Sequence, residues 1–144
     1  MLDRLFISTA ITAIAELLGS ARADGKLAVV GNAKVATAFA KRGDVVAIGL
    51  PPRSAAKASE SLPDFATISP RTLAAVIGID PSETSLGEWS PYLRDGGAII
   101  VVDRLSARTA ADASRRALCA GLTAIEQRRL PRLVVTSGLV THLT

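Results

Sequence analysis

Cysteine is nearly absent from these 144 residues. Cys119 is the single thiol, so no internal disulfide and no cysteine zinc site can form. Histidine is equally scarce. A lone His142 argues against a His–His acid–base pair, a histidine metal cluster and a Ser–His–Asp triad. Aromatic residues make up 3% of the chain, namely Phe6, Phe39, Phe65, Trp89 and Tyr92. They are too few and too scattered for a platform on which a nucleic-acid strand stacks. No apolar run reaches the roughly 18 residues that a membrane span needs. Internal repeats, linkers and low-complexity tracts are missing as well.

What is there suits one packed domain over residues 1–144. Apolar residues make up 49% and charged residues 21%, a balance that supports a core and argues against disorder. Lys and Arg outnumber Asp and Glu by 17 to 13, and the excess is local. Seven arginines (Arg104, Arg108, Arg115, Arg116, Arg128, Arg129, Arg132) stand against Asp112 and Glu126 in one stretch. Such a stretch attracts acidic partners or nucleic acid. Without an aromatic in it, the simpler expectation is a solvated helix face and a hairpin edge guarded by arginines. Nucleic acid is therefore not expected as a partner, nor is a membrane.

The N-terminal region has the outline of a signal peptide: Arg4, an apolar Leu5–Gly19, then Ala21-Arg22-Ala23. Asp3 and Glu16 contradict that outline. Phe6, Ile7, Ile11, Ile14, Leu17 and Leu18 recur at spacings of three and four. The expectation is an amphipathic helix over about 3–18, ended at Gly19, in a cytoplasmic protein.

Short continuous apolar runs follow, of the kind that parallel strands buried on both faces show. They are Leu27–Gly31, Val45–Ile48, Ala74–Ile79 and Ala98–Asp103, with Phe65–Ile68 as a weak third strand. Helical stretches separate them. Asn32 caps Ala33–Arg42, stopped by Gly43; Ser54 caps a short helix to about Ser61, after the Pro51-Pro52 break. Ser69-Pro70 reads as an N-cap with proline at the first helical position. Ser82–Leu93 is polar and partly helical, and Asp95-Gly96-Gly97 is a tight turn. Ser106–Ala120 is a helix with Ser106 as cap, Gly121 as stop and Cys119 buried on it. Ala124–Arg128 and Arg132–Val140 form an antiparallel hairpin through Leu130-Pro131. This is an α/β protein with a mostly parallel, Rossmann-like sheet and a C-terminal antiparallel hairpin. Trp89 and Tyr92 are expected to cover the sheet, and His142 to sit at a frayed end.

Tyr92-Leu93-Arg94-Asp95-Gly96-Gly97, running into Ala98-Ile99-Ile100-Val101-Val102-Asp103, resembles a helix end, glycine turn and fifth strand of class I S-adenosylmethionine-dependent methyltransferases. Ala120-Gly121-Leu122-Thr123, Ile125–Arg129 and Arg132–Val135 are similar to the last helix end and the sixth and seventh strands of that family. The resemblance spans about residues 25–140, and it is more specific in the C-terminal half.

The resemblance implies a cofactor at the end of the first strand, on a Gly-x-Gly-x-Gly turn. Here the stretch is Gly31-Asn32-Ala33-Lys34-Val35, with only the first glycine kept. Ala33 and the stiff Val35 are expected to occupy space that glycines leave open. The family's second strand ends in a carboxylate for the ribose hydroxyls; here Gly49 holds that place. Near the third strand's end the family often carries an acidic residue beside the adenine, and the aligned stretch is Thr67-Ile68-Ser69-Pro70. The fourth strand ends Ile79-Asp80-Pro81, which resembles some catalytic loops of the family. Between the third and fourth strands only Ser69–Leu73 remain, reaching at most about 18 Å against a strand of roughly 17 Å.

Gly31, Asn32 and Gly49 are thus expected to be vestigial cofactor-binding positions, with no catalytic residue and no metal. The expected function is that of a pseudoenzyme: a non-catalytic methyltransferase-like domain without cofactor, acting on a protein partner or as a homo-oligomer. The alternative is a small methyltransferase that uses S-adenosylmethionine through divergent motifs. A third reading places another anion at the Gly31–Asn32 helix start, beside Lys34.

Overall fold

A computed structural model describes residues 4–19, 25–49, 60–79, 85–105 and 109–142. The buried runs form strands as their composition demands: β1 (Lys26–Val30), β2 (Val45–Ile48), β4 (Leu73–Ile79) and β5 (Leu93–Arg104), with a three-residue β3 (Glu60–Leu62) before β4. The C-terminal hairpin is β6 (Thr123–Leu130) and β7 (Leu133–Leu139). All seven share one sheet in the order β3-β2-β1-β4-β5-β7-β6. β1 to β5 run parallel, and β7 is antiparallel to both β5 and β6. Val29 and Val101 lie in the same sheet, as expected.

Period-two alternation sends neighbouring residues to opposite faces. One face gathers Val29, Ala47, Ile77, Ile100 and Val135 under α1 (Arg4–Leu18) and α2 (Ala33–Ala40). The other gathers Ala28, Val46, Val76, Ile99 and Val101 under α3 (Ser85–Trp89) and α4 (Thr109–Cys119). In α1 the buried residues are Ile7, Ala10, Ala13, Ile14 and Leu17, one stripe at helical spacing that docks on the first face. Among the described residues no helix is long and apolar enough to cross a membrane.

Trp89, the only tryptophan, is buried between α3 and the sheet, where β4 carries Gly78. A Cβ at Gly78 would overlap the indole ring. Gly78→Ala is therefore expected to displace the ring at a cost of about 2 kcal/mol, the usual penalty of overpacking. Urea denaturation followed by the fluorescence of this single tryptophan checks it.

Four expectations need correction. The third strand is Glu60–Leu62, not Phe65–Ile68. Asp64 Oδ1 accepts a hydrogen bond from Ala66 N at 2.9 Å, and Ile68 N donates to Phe65 O at 3.0 Å. These bonds make 65–68 a turn that drops Phe65 and Ile68 onto the second face. Ten residues, Pro63–Thr72, then return the chain, which removes the reach problem. Second, no helix starts at Ser69-Pro70. Arg71 adopts a left-handed φ of 57°, and Arg71 N donates to Pro91 O. Third, Asp95-Gly96-Gly97 is not a turn between elements but a bulge inside β5. Leu93 pairs with Leu73 and Ala98 with Ala75, so four β5 residues face one of β4. Fourth, Cys119 is exposed. α4 buries Ala113 and Ala117, and a residue two positions on faces away; Leu118 is exposed with it. Residues 54–59, Pro51-Pro52, Asp80-Pro81 and Ser106 lie outside the described residues.

Candidate functional site

Strand order reverses between β1 and β4: β2 and β3 extend one way, β5 and β7 the other. In such sheets the crevice at the carboxyl ends of the two central strands is where ligands bind. Gly31 stands there, directly after β1. Its φ is 90°, and a Cβ would meet Ile79 O of β4 at 3.0 Å. Both facts demand glycine.

Asn32 caps α2 as expected. Its φ of −150° is extended, and its side-chain oxygen accepts from Lys34 N and Val35 N, each at 3.0 Å. These two N–H groups are the donors that an anion at the helix start would use, so the cap competes with the anion reading.

Val30 pairs with Ile48, so Gly49 follows β2 beside Gly31. The three positions singled out in the sequence therefore do come together. Gly49 N donates to Leu62 O at 2.9 Å, and its φ is 72°. That is a left-handed backbone, which non-glycine residues uncommonly adopt.

Val35 departs from expectation. Its side chain is fully buried in the core beneath α1, packed with the first face of the sheet, and does not line the crevice. Ala33 is half-buried at the start of α2.

Asp64 was missed in the sequence because the third strand was placed five residues late. With β3 ending at Leu62, Asp64 is the exposed acid at the carboxyl end of β3. That is where the family often has its adenine-side acid. The readable signal was Leu62-Pro63-Asp64, an apolar residue followed by strand-ending and turn-forming residues.

At the end of β5, Asp103 is buried and Arg116 Nη2 of α4 approaches its Oδ2 at 2.9 Å. His142 is not frayed. Its backbone N donates to Asp95 Oδ1 at 2.9 Å. Its Nε2 lies 2.7 Å from Leu93 O, a group that only accepts, so Nε2 carries the proton. Phe65 stacks on Tyr92 with ring centroids 5.1 Å apart, and Trp89 is buried, so these rings cover the sheet. A cleft of about 350 Å³ opens at the opposite, amino end of the strands, lined by Lys26, Glu60, Thr72 and Arg94; Lys26 and Glu60 are paired at 2.7 Å.

No family model and no curated protein sequence matches the chain significantly. Solved structures do. The S-adenosylmethionine-dependent methyltransferase SibL in its apo form is 16% identical, with a TM-score of 0.71, over 94% of this chain and 55% of its own. A chain of the complex between the Haloferax volcanii Trm112 methyltransferase activator and the putative methyltransferase is 12% identical, with a TM-score of 0.70, over 91% and 89%. Geranyl diphosphate methyltransferase in complex with SAM is 13% identical, with a TM-score of 0.64, over 90% and 84%. This chain thus spans about half the length of the first and most of the other two. The fold is that of the class I S-adenosylmethionine-dependent methyltransferases, with a seven-stranded, mostly parallel sheet and an antiparallel C-terminal hairpin.

Proposed function

We propose that this chain is a single, non-catalytic methyltransferase-like domain, cytoplasmic, that binds no S-adenosylmethionine and acts through protein contacts. The observation that carries this reading is Gly49. At the place of the ribose carboxylate it offers no side-chain acceptor, and its φ of 72° is a left-handed backbone that suits glycine. A carboxylate there contributes charge-assisted hydrogen bonds worth about 1.5–3 kcal/mol each. Asn32 supports the reading by closing the helix N-terminus with its own side chain. Among the described residues the cofactor's ribose has no acidic partner on β2; Asp44 precedes that strand, five positions before Gly49 and roughly 17 Å from it along extended chain.

Calorimetry with S-adenosylmethionine and with S-adenosylhomocysteine tests it. No heat is expected from either, and no rise in melting temperature at concentrations where a binder at 100 times its dissociation constant gains about 2.7 kcal/mol. Heat from either ligand overturns the reading.

A second reading, a small methyltransferase with divergent motifs, is favoured by Asp64 at the end of β3 and by Gly31 at the switch point. It requires binding in the same calorimetry, weakened by Asp64→Ala.

A further inference from the structure

The cleft at the amino ends of the strands lies on the second face of the sheet. Its volume of about 350 Å³ falls at the small end of the range for ligand pockets. Its floor is apolar: Val46 of β2, Leu62 of β3 and Leu73 of β4, with Ile68 of the turn after β3 packed on the same face. That turn is held by its own bonds. Asp64 Oδ1 accepts from Ala66 N, Thr72 Oγ1 donates to Ser69 O at 2.7 Å, and Arg71 N donates to Pro91 O. The hollow is therefore preformed, and ordering it for a ligand costs little.

Charge lies at its rim. Lys26, at the start of β1, reaches past β2 to Glu60 of β3, Nζ to Oε2 at 2.7 Å. Arg94, in the β5 bulge, extends back to β1, where its guanidinium carbon stands 3.4 Å from the place of a Cβ on Gly25. Among the described residues the cleft thus sets two cations against one carboxylate. The Lys26 ammonium has three N–H donors, and Glu60 takes one of them. Thr67 and Ser69 line the cleft as well and bring hydroxyl donors.

We propose that this cleft binds a small monocarboxylate with a short apolar tail. The tail lies on Val46, Leu62, Ile68 and Leu73. The carboxylate lies at the rim, against Lys26 and in the field of Arg94. One negative charge balances the net charge of the rim; an amine adds to that charge, and a phosphate, close to doubly charged, overshoots it. Glu60 orients Lys26 and at the same time repels the ligand, so the two halves of the pair act on binding with opposite sign. The crevice at Gly31 is at the other end of β1, roughly a strand length of 17 Å away. The proposal goes beyond the protein-contact reading and stands or falls separately from it.

Amide NMR of the isotope-labelled chain, titrated with hexanoate at neutral pH, tests the proposal. Hexanoate shifts the amides of Lys26, Thr67, Ser69 and Thr72 saturably, with a Kd of about 1 mM or tighter, and leaves those of Gly31, Asn32 and Gly49 in place. Hexylamine, hexanol, acetate and inorganic phosphate each lack the charge or the tail and bind at least about tenfold more weakly. Lys26→Gln weakens hexanoate binding about tenfold or more. Glu60→Gln strengthens it about fivefold, because one opposing charge is gone. The pair is partly exposed, at 41% and 44%, so both variants keep the parent's melting temperature. A merely structural role for the pair would move both variants the same way. No saturable shift with hexanoate overturns the proposal. So do hexylamine or phosphate binding as tightly as hexanoate, shifts centred on Gly31, or two variants that change affinity in the same direction or not at all.

Discussion

Val35→Gly is expected to lower the stability of the protein by about 2.5–4 kcal/mol and to open no space for a cofactor. Glycine is what the methyltransferase turn carries at this position, so the substitution looks like a repair. The structure gives it the opposite sign. Val35 is 0% exposed and packs among the buried residues of α1, α2 and the first face of the sheet. Removing that side chain forfeits about 1.5–3 kcal/mol of apolar burial, and glycine inside α2 costs about 1 kcal/mol more. Adding Ala33→Gly and Gly49→Asp does not rescue the variant. The first loosens the helix start, and the second sets a side chain on a backbone with φ of 72°. Urea denaturation measures the loss, and a thermal shift with S-adenosylmethionine measures the absence of gain. A glycine variant as stable as the parent that acquires cofactor binding would show that Val35 fills ligand space.

Arg116→Met is expected to cost about 3 kcal/mol. Nη2 of Arg116 lies 2.9 Å from Oδ2 of Asp103, and the two side chains are 22% and 10% exposed. Taking away the cation leaves a carboxylate at the end of β5 with much of its water already removed, the situation in which breaking a pair costs 3 kcal/mol or more. Asp103→Leu strands the guanidinium and costs a comparable amount. The double variant loses both charges at once, and its destabilisation falls well below the sum of the singles. A double-mutant cycle in urea reads this directly. Single variants within about 0.5 kcal/mol of the parent would class the pair with exposed surface ion pairs instead.

The legible parts of the fold are those governed by local pattern. Val29, Ala47, Ile77 and Ile100 sit in continuous apolar runs, and such runs form strands covered on both faces. Asn32 before Ala33 announces the start of α2 because its short side chain reaches the first free N–H groups. The hairpin about Pro131 and the stop of α4 at Gly121, whose φ is 82°, were readable for the same local reason. The candidate site was half legible. Gly31 and Gly49 follow the paired strands β1 and β2, with Asn32 next to Gly31, whereas Asp64 depends on where β3 ends and the Val35 side chain turns into the core instead of ligand space.

Phe65-Ala66-Thr67-Ile68 has strand composition but turn structure, since the Asp64 side chain and the Phe65 carbonyl take up the backbone donors that a ladder would need. Glu60-Ser61-Leu62 has little strand propensity and becomes β3 because β2 offers it a free edge. In β5, the bulge at Arg94–Gly97 arises from the register imposed by β4, which no local pattern encodes. His142 is held only because β5 places Leu93 O and Asp95 beside it.

By itself the sequence determined the α/β class, α1, α2 with its Asn32 cap, α4, the principal strands, and the absence of a carboxylate at the end of β2. Each of these depends on residues within a few positions of one another, where side-chain periodicity and backbone preference act alone. Tertiary structure alone decided which side of α2 Val35 faces, that Asp64 follows the end of β3, that Asp103 meets Arg116, and that β3 and β6 are the edges of the sheet. These depend on which elements become neighbours, and burial and pairing between distant segments settle that only once the whole sheet has formed.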